Sequence, residues 1–211
     1  MNDIKVAKEL LRIKAVFLRP NDPFTWASGI KSPIYCDNRL ILTDPEARKV
    51  VEDAIAKTVK EKFPETEVLM GTSTAGIAHA AIAGWLLNLP MGYVRGGNKD
   101  HGRGNRIEGR LDKGNKVVVI EDLISTGGSC IEVVDALREE GADVLGVVSI
   151  FTYGMEKGKK RLEEAGVVNY SLCDFNTLCA EAVKEKYITE AEEKKLKKFM
   201  SNPSDPSWMD A

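Results

Sequence analysis

Cysteine and histidine are scarce in this chain. Four cysteines (Cys36, Cys130, Cys173, Cys179) and two histidines (His79, His101) are spread over 211 residues. No two cysteines form a C-x-x-C pair, so the ligand spacing of a structural zinc site is missing. In a chain of this length without a secretory signal, the thiols are expected to be free. Long apolar runs are missing too. Nothing approaches the roughly 20 residues that span a bilayer, and the opening MNDIKVAKEL lacks the apolar centre of a signal peptide. A cytoplasmic location with no membrane partner is the expectation. There is no surplus of either charge: Lys and Arg total 30 against 32 Asp and Glu, a formal net charge of -2. No global field therefore draws the chain toward nucleic acid, and any anion site has to be local.

What is present suits one α/β domain with extensions. Hydrophobic residues make up 43%, enough to bury a core. The spacing of Ile4, Ala7, Leu10, Leu11 and Ala15 predicts a helix within residues 3–18. The Pro-, Gly- and Ser-rich stretch RPNDPFTWASGIKSPIYCDNR reads as loop or short strand. A second helix is expected from Thr43, with Thr43 and Glu46 as a capping box and Pro45 in the first turn. Its inward stripe is Val50, Val51, Ala54, Ile55 and Val59. Strand and helix then alternate: strand Val68–Gly71, an alanine-rich helix to about Leu87, strand Met91–Val94, strand Lys116–Glu121, a helix from about Gly128 to Glu140, strand Val144–Phe151, a charged helix, and strand Val167–Leu172. That alternation predicts a parallel sheet with helices on both faces. Residues 1–200 are expected to form a single domain. The terminal SNPSDPSWMDA reads as a flexible tail, with Trp208 able to dock on the body.

The segment KVVVIEDLISTGGSC, residues 116–130, carries the sharpest chemical signal. Ligands of parallel sheets bind beyond the carboxyl ends of strands. Here a buried strand runs into Glu121 and Asp122, then into a loop of Ser125, Thr126, Gly127, Gly128 and Ser129, then a helix. Glycines admit close backbone approach, and amides at a helix start favour phosphate. The acids suit sugar hydroxyls. The glycines and hydroxyls alone would fit an ordinary strand–turn–helix equally well. Two carboxylates closing a buried strand tip the balance, because charges there need partners. The loop is neither a Walker A motif nor a G-x-G-x-x-G motif.

The segment VVVIEDLISTGGS resembles the motif of type I phosphoribosyltransferases that binds phosphoribosyl pyrophosphate (PRPP). The resemblance implies that Glu121 and Asp122 hold the ribose hydroxyls, that Ser125, Thr126, Gly127, Gly128 and Ser129 hold the 5′-phosphate, and that Leu123 and Ile124 between them belong to the same PRPP-binding run. A second segment, YVRGGNKDHGRGNRIEG at 93–109, is basic and glycine-rich, with Arg95, Lys99, His101, Arg103 and Arg106. Alone it reads as a solvated loop. Its KDHG is similar to the catalytic loop of orotate phosphoribosyltransferases. By that resemblance Arg95, Lys99 and His101 meet the pyrophosphate, Asp100 sets their geometry or protonation, and the loop serves the neighbouring subunit of a homodimer. FTWASGIKSPIYCDNR (24–39) resembles the family's N-terminal hood on the orotate side, and VLMGTSTAGIAHAA (68–81) its pyrophosphate-side turn. His79 is read as a surface or core histidine without a role.

The resemblance spans about residues 4–190 and implies a type I phosphoribosyltransferase fold. It also implies Mg2+ held mainly by PRPP and water, with no protein metal ligand assigned. Catalysis falls to Lys99, Asp100, His101 and Asp122, and Ser125 is the candidate orotate contact. Some members carry lysines where this chain has Ala27, Ala75 and Gly96, and an orotate-binding arginine near the position of Tyr153. Two other functions compete: a purine or uracil phosphoribosyltransferase, and a PRPP-sensing regulator without turnover. The KDHG loop argues against the first. The absence of a basic helix or extra domain in the sequence argues against the second.

Overall fold

The computed structural model describes residues 4–25, 29–96 and 106–210. Its strands are β1 (Val16–Leu18), β2 (Phe24–Thr25), β3 (Lys31–Ser32), β4 (Ile34–Cys36), β5 (Val68–Thr72), β6 (Met91–Val94), β7 (Ile107–Glu108), β8 (Lys116–Ile124), β9 (Asp143–Thr152) and β10 (Asn169–Asp174). Its α-helices are α1 (Ile4–Arg12), α2 (Pro45–Lys62), α3 (Ala75–Leu87), α4 (Gly128–Glu139), α5 (Glu156–Glu164), α6 (Phe175–Lys184) and α7 (Glu190–Ser201). Six strands form the central sheet in the order β10-β9-β8-β5-β6-β7. All neighbours are parallel except the edge pair β6–β7.

The strands of this sheet read as continuous β-branched runs because both faces are covered. On β8, Val118 and Ile120 point toward α1, α2, α3 and α6, while Val117 and Val119 point toward α4 and α5. The two short antiparallel pairs, β1–β4 and β2–β3, build the N-terminal hood.

Several boundaries differ from the sequence expectation, each for a local reason. The first helix stops at Arg12 because Lys14 adopts a left-handed backbone (φ 57°) and Ala15 N–H donates back to Leu10 O. Residues 16–18 are strand. The cap of α2 is Asp44, whose Oδ1 accepts from Glu46 N and Ala47 N, while the hydroxyl of Thr43 donates to Leu40 O in the preceding 3-10 turn. Arg12 also binds Asp44 at 2.7 Å, and its guanidinium holds that carboxyl down to about 2. The strand carrying the acidic pair continues through Asp122, Leu123 and Ile124, because β9 pairs with it as far as Thr152. Two helices beyond the last expected strand, α6 and α7, complete the fold, the second opened by a Thr189–Glu192 capping box. Residues 201–210 are not a free tail. A short 3-10 helix at Pro206–Asp210 buries Trp208 to 1% exposure, edge-on against Phe199 at 5.5 Å. Among the described residues Cys36, Cys130, Cys173 and Cys179 are buried thiols that form no disulfide.

Candidate active site

The strand order reverses between β5 and β8: the chain runs outward from β5 to β6 on one side and from β8 to β9 on the other. Loops leaving two such strands diverge, and the gap between them is where open α/β sheets bind ligands. A cleft of about 260 Å³ lies at this point, lined by Thr72, Ser73, Thr74 and Ala75 from the end of β5 and by Glu121, Asp122, Leu123, Ser129 and Glu132 from β8 and α4. Val94, Gly96 and Arg106 complete it.

Small residues make the cleft possible. The first turn of α3 lies so close to β8 that a Cβ on Gly76 would stand 2.4 Å from Ile120 O and 2.5 Å from Thr72 Oγ1. Thr72 Oγ1 donates to Glu121 Oε1 at 2.7 Å, and the amide of Asp122 donates to the same oxygen at 2.9 Å. Glu121 is 5% exposed, and burial, reinforced by the neighbouring Asp122, pushes its carboxyl up to about 8. Burial therefore favours the protonated form of Glu121 in the free protein, beside the more open Asp122. Asn38 fixes the pair from the hood side, donating from Nδ2 to Asp122 O at 2.7 Å while its Oδ1 accepts from Cys36 Sγ.

The loop after β8 turns on Gly127, at φ +76°, and leads directly into α4. The amides at the start of α4 are thus presented at the sheet's carboxyl edge, as a phosphate site requires. Leu123 and Ser129 face the cleft. Ile124 and Ser125 instead line a neighbouring cavity of about 260 Å³ with Thr152, Met155, Lys159, Asn169, Ser171 and Asp174. Thr126, Gly127 and Gly128 form the turn between the two.

At the opposite rim, Arg95 and Arg106 form the neck of the basic segment. Arg95 N–H donates to Arg106 O at 2.8 Å, directly beyond the β6–β7 pairing of Val94 with Ile107. The Arg95 side chain reaches Glu108 at 3.3 Å. Lys99, Asp100 and His101 lie outside the described residues, as do residues 26–28 of the hood.

His79 is a core residue, fully buried in α3, with Nδ1 2.6 Å from Oε1 of Glu52 on α2. Thr72, Ser73 and Thr74, which line the cleft, and Asn38, which holds Asp122 from the hood, were read from sequence only as parts of longer segments, with no individual role. The first three were legible in part, as hydroxyls in GTSTAG at the end of a strand. Asn38 is 84 residues from its partner and had no local signal.

The model of the phosphoribosyl transferase domain family matches residues 39–184. Curated proteins called orotate phosphoribosyltransferase in Bacillus cytotoxicus and Bacillus anthracis are each 56% identical over 207 residues, covering 98% of this chain and 99% of theirs. Among solved structures, the orotate phosphoribosyltransferase of Aeropyrum pernix superposes with a TM-score of 0.75 at 30% identity, covering 87% of this chain and 99% of that one. The UMP synthase of Leishmania donovani superposes with a TM-score of 0.79 at 28% identity, covering 93% of this chain and 42% of that larger one. With the acid pair, the glycine turn before α4 and the hydroxyl loop lying about one switch point, this chain belongs to the phosphoribosyl transferase family, within its orotate phosphoribosyltransferase branch.

Proposed function

We infer that the chain is an orotate phosphoribosyltransferase, a pentosyltransferase that moves the phosphoribosyl group of PRPP onto orotate. The products are orotidine 5′-phosphate and pyrophosphate, in the synthesis of pyrimidine nucleotides. The observation that carries this reading is the switch-point cleft, in which the acid pair, the hydroxyl loop 72–74 and Ser129 of the first turn of α4 converge. The near full-length identity to curated orotate phosphoribosyltransferases supports the choice of base.

The ribose of PRPP lies over Glu121 and Asp122, its 5′-phosphate on the amides of Thr126 to Ser129, and its pyrophosphate toward Ser73, Thr74 and the Arg95–Arg106 neck. Breaking the bond at C1 builds positive charge on the ribose, as in glycoside cleavage, and negative charge on pyrophosphate. Asp122 faces the first charge. Arg95, with Lys99 and His101 by resemblance, faces the second, as cations already in place. Asp100 orders those cations. Orotate brings an acidic nitrogen and needs no strong base. Ser125 lines the adjoining cavity, so its orotate role is through the loop backbone or a hydroxyl turned across the strand end. Mg2+ would be held mainly by PRPP oxygens and water, since this ion keeps most of its waters and needs few protein ligands. When bound, it neutralises charge on the departing pyrophosphate.

The same reading makes the chain a homodimer whose catalytic loop, 95–109, serves the partner's site. The support is α3. It carries no Lys, Arg, Asp or Glu, its one histidine is turned inward to Glu52, and its outer face of Ala78, Ala81, Ile82 and Trp85 is apolar. Trp85 is 86% exposed and Leu86 47%. An outer helix face this apolar belongs in an interior, and a second copy covers it by two-fold pairing. Because α3 begins at the cleft, that contact brings the partner's loop near the site. The enzyme acts in the cytoplasm; among the described residues no helix is long and apolar enough to cross a membrane. The deciding assay follows orotate absorbance with PRPP and Mg2+, with a chelator control and with uracil and adenine as competing bases. Turnover of uracil or adenine but not orotate would reassign the base.

A further inference from the structure

The inner side of α3 is built from small residues: Gly76, Ala80, Ala83 and Gly84 are all buried. Small side chains allow close approach to the sheet but interlock weakly, so they leave the helix's position along its axis poorly fixed. The cleft nevertheless depends on that position. Thr74 and Ala75 at the start of α3 line it, and Gly76 abuts both Ile120 O and the Thr72 hydroxyl that binds Glu121. One turn further on, His79 makes a directional bond to Glu52 of α2, 2.6 Å long, with the two side chains 0% and 1% exposed.

As a stability device this pair is poor. Burying it strips both groups of water. Moreover, Glu52 Oε2 and His79 Nε2 find no hydrogen-bond partner among the described residues. A leucine pair of similar bulk would pack the same space without that desolvation cost. What the polar pair provides instead is a fixed distance and direction between α2 and α3.

We propose that Glu52 and His79 form a positioning pair that sets the first turn of α3 against β8, and so holds the pyrophosphate end of the cleft in register. The proposal rests on the reading that this cleft binds PRPP. Neither residue lines the cleft; both act through Gly76, Thr72 and the 73–75 turn.

The test compares kcat, the KM for PRPP, the KM for orotate and the melting temperature in three proteins: wild type, Glu52→Gln, and the double variant Glu52→Leu with His79→Leu. The double variant is expected to melt at or above the wild-type temperature. Its KM for PRPP is expected to rise by about ten- to a hundredfold, the scale of a 1 Å misplacement, with the KM for orotate nearly unchanged. Glu52→Gln keeps a hydrogen bond to the ring and recovers most of the loss. A folded double variant with wild-type KM for PRPP and wild-type kcat overturns the proposal. If the double variant does not fold, His79→Gln replaces it: a folded His79→Gln protein with raised KM for PRPP supports the positioning role, and one with unchanged KM overturns it. An inactive wild type would instead overturn the assignment of the cleft to PRPP.

Discussion

Two adjacent acids of β8 differ in their surroundings, and so in what their replacement should do. Asp122 lies in the cleft with its charge available to the ribose. Asp122→Asn keeps shape and removes charge, so turnover should fall more than PRPP affinity does; steady-state kinetics set beside calorimetric PRPP binding would check this, and an unchanged kcat would remove Asp122 from the mechanism. Glu121 is a stability group in the free protein. Its carboxyl sits at about 8 in the fold against an ordinary value of 4.5. Between those values the folded chain keeps a proton that the unfolded chain has lost. Stability from this residue therefore falls as pH rises from about 4.5 to about 8, by at most about 1.4 kcal/mol per pH unit, and is level above that. Glu121→Gln abolishes that slope. Thermal melts of ligand-free protein at pH 5 to 8.5 should show the variant gaining on wild type as pH rises; parallel curves would mean that Glu121 is ionised throughout.

At the level of elements, two glycines serve the cleft in different ways. Gly76 is small because α3 and β8 touch there. Gly76→Ala forces the helix off the strand and should cost about 1–3 kcal/mol of stability, as overpacking does, with PRPP affinity falling alongside. Gly127 has room, since a Cβ would meet Leu162 only at 3.5 Å, but its backbone is left-handed. Gly127→Ala should cost about 1 kcal/mol while PRPP affinity falls more steeply, because the amides beyond the turn are re-aimed. Denaturant unfolding and calorimetry on both variants separate the two cases. These elements were also unequally legible in the sequence. β8 and α4 were readable because both are long and strongly patterned. The hood strands are two or three residues each and have no periodicity to read. The exit of α1 through Lys14 depended on a left-handed residue that was not glycine. The acids were expected to close their strand, and the pairing that carries it on to Ile124 comes from β9, a tertiary effect. Asn38 reaches the site only through the fold, and the bond from Thr72 to Glu121 spans 49 residues of sequence.

For the whole molecule, the uncharged α3 leads to the assembly test. Trp85→Asp puts a charge in the outer face of that helix and should convert a dimer to a folded monomer with little activity, read by sedimentation and circular dichroism. A complementary test mixes Lys99→Ala protein with Asp122→Asn protein. If the 95–109 loop serves the partner's site, random exchange leaves half the dimers mixed and half of their sites intact, so up to about a quarter of wild-type activity returns. With exchange confirmed by a mass tag, no recovery would place loop and acids in the same subunit. The seating of the first helix carries a consequence in time as well as in space. Val6, Ala7, Leu10 and Leu11 of α1 are buried in a core cluster that includes Leu178 and Ala182 of α6, and Lys8 reaches Glu181 and Glu185 at the end of that helix. During synthesis α1 is made more than 160 residues before α6, so it can pack at first only on α2 and the hood, and its seat against α6 is completed when the chain is nearly finished. A chain cut before α6 should therefore leave one side of its first helix open to solvent.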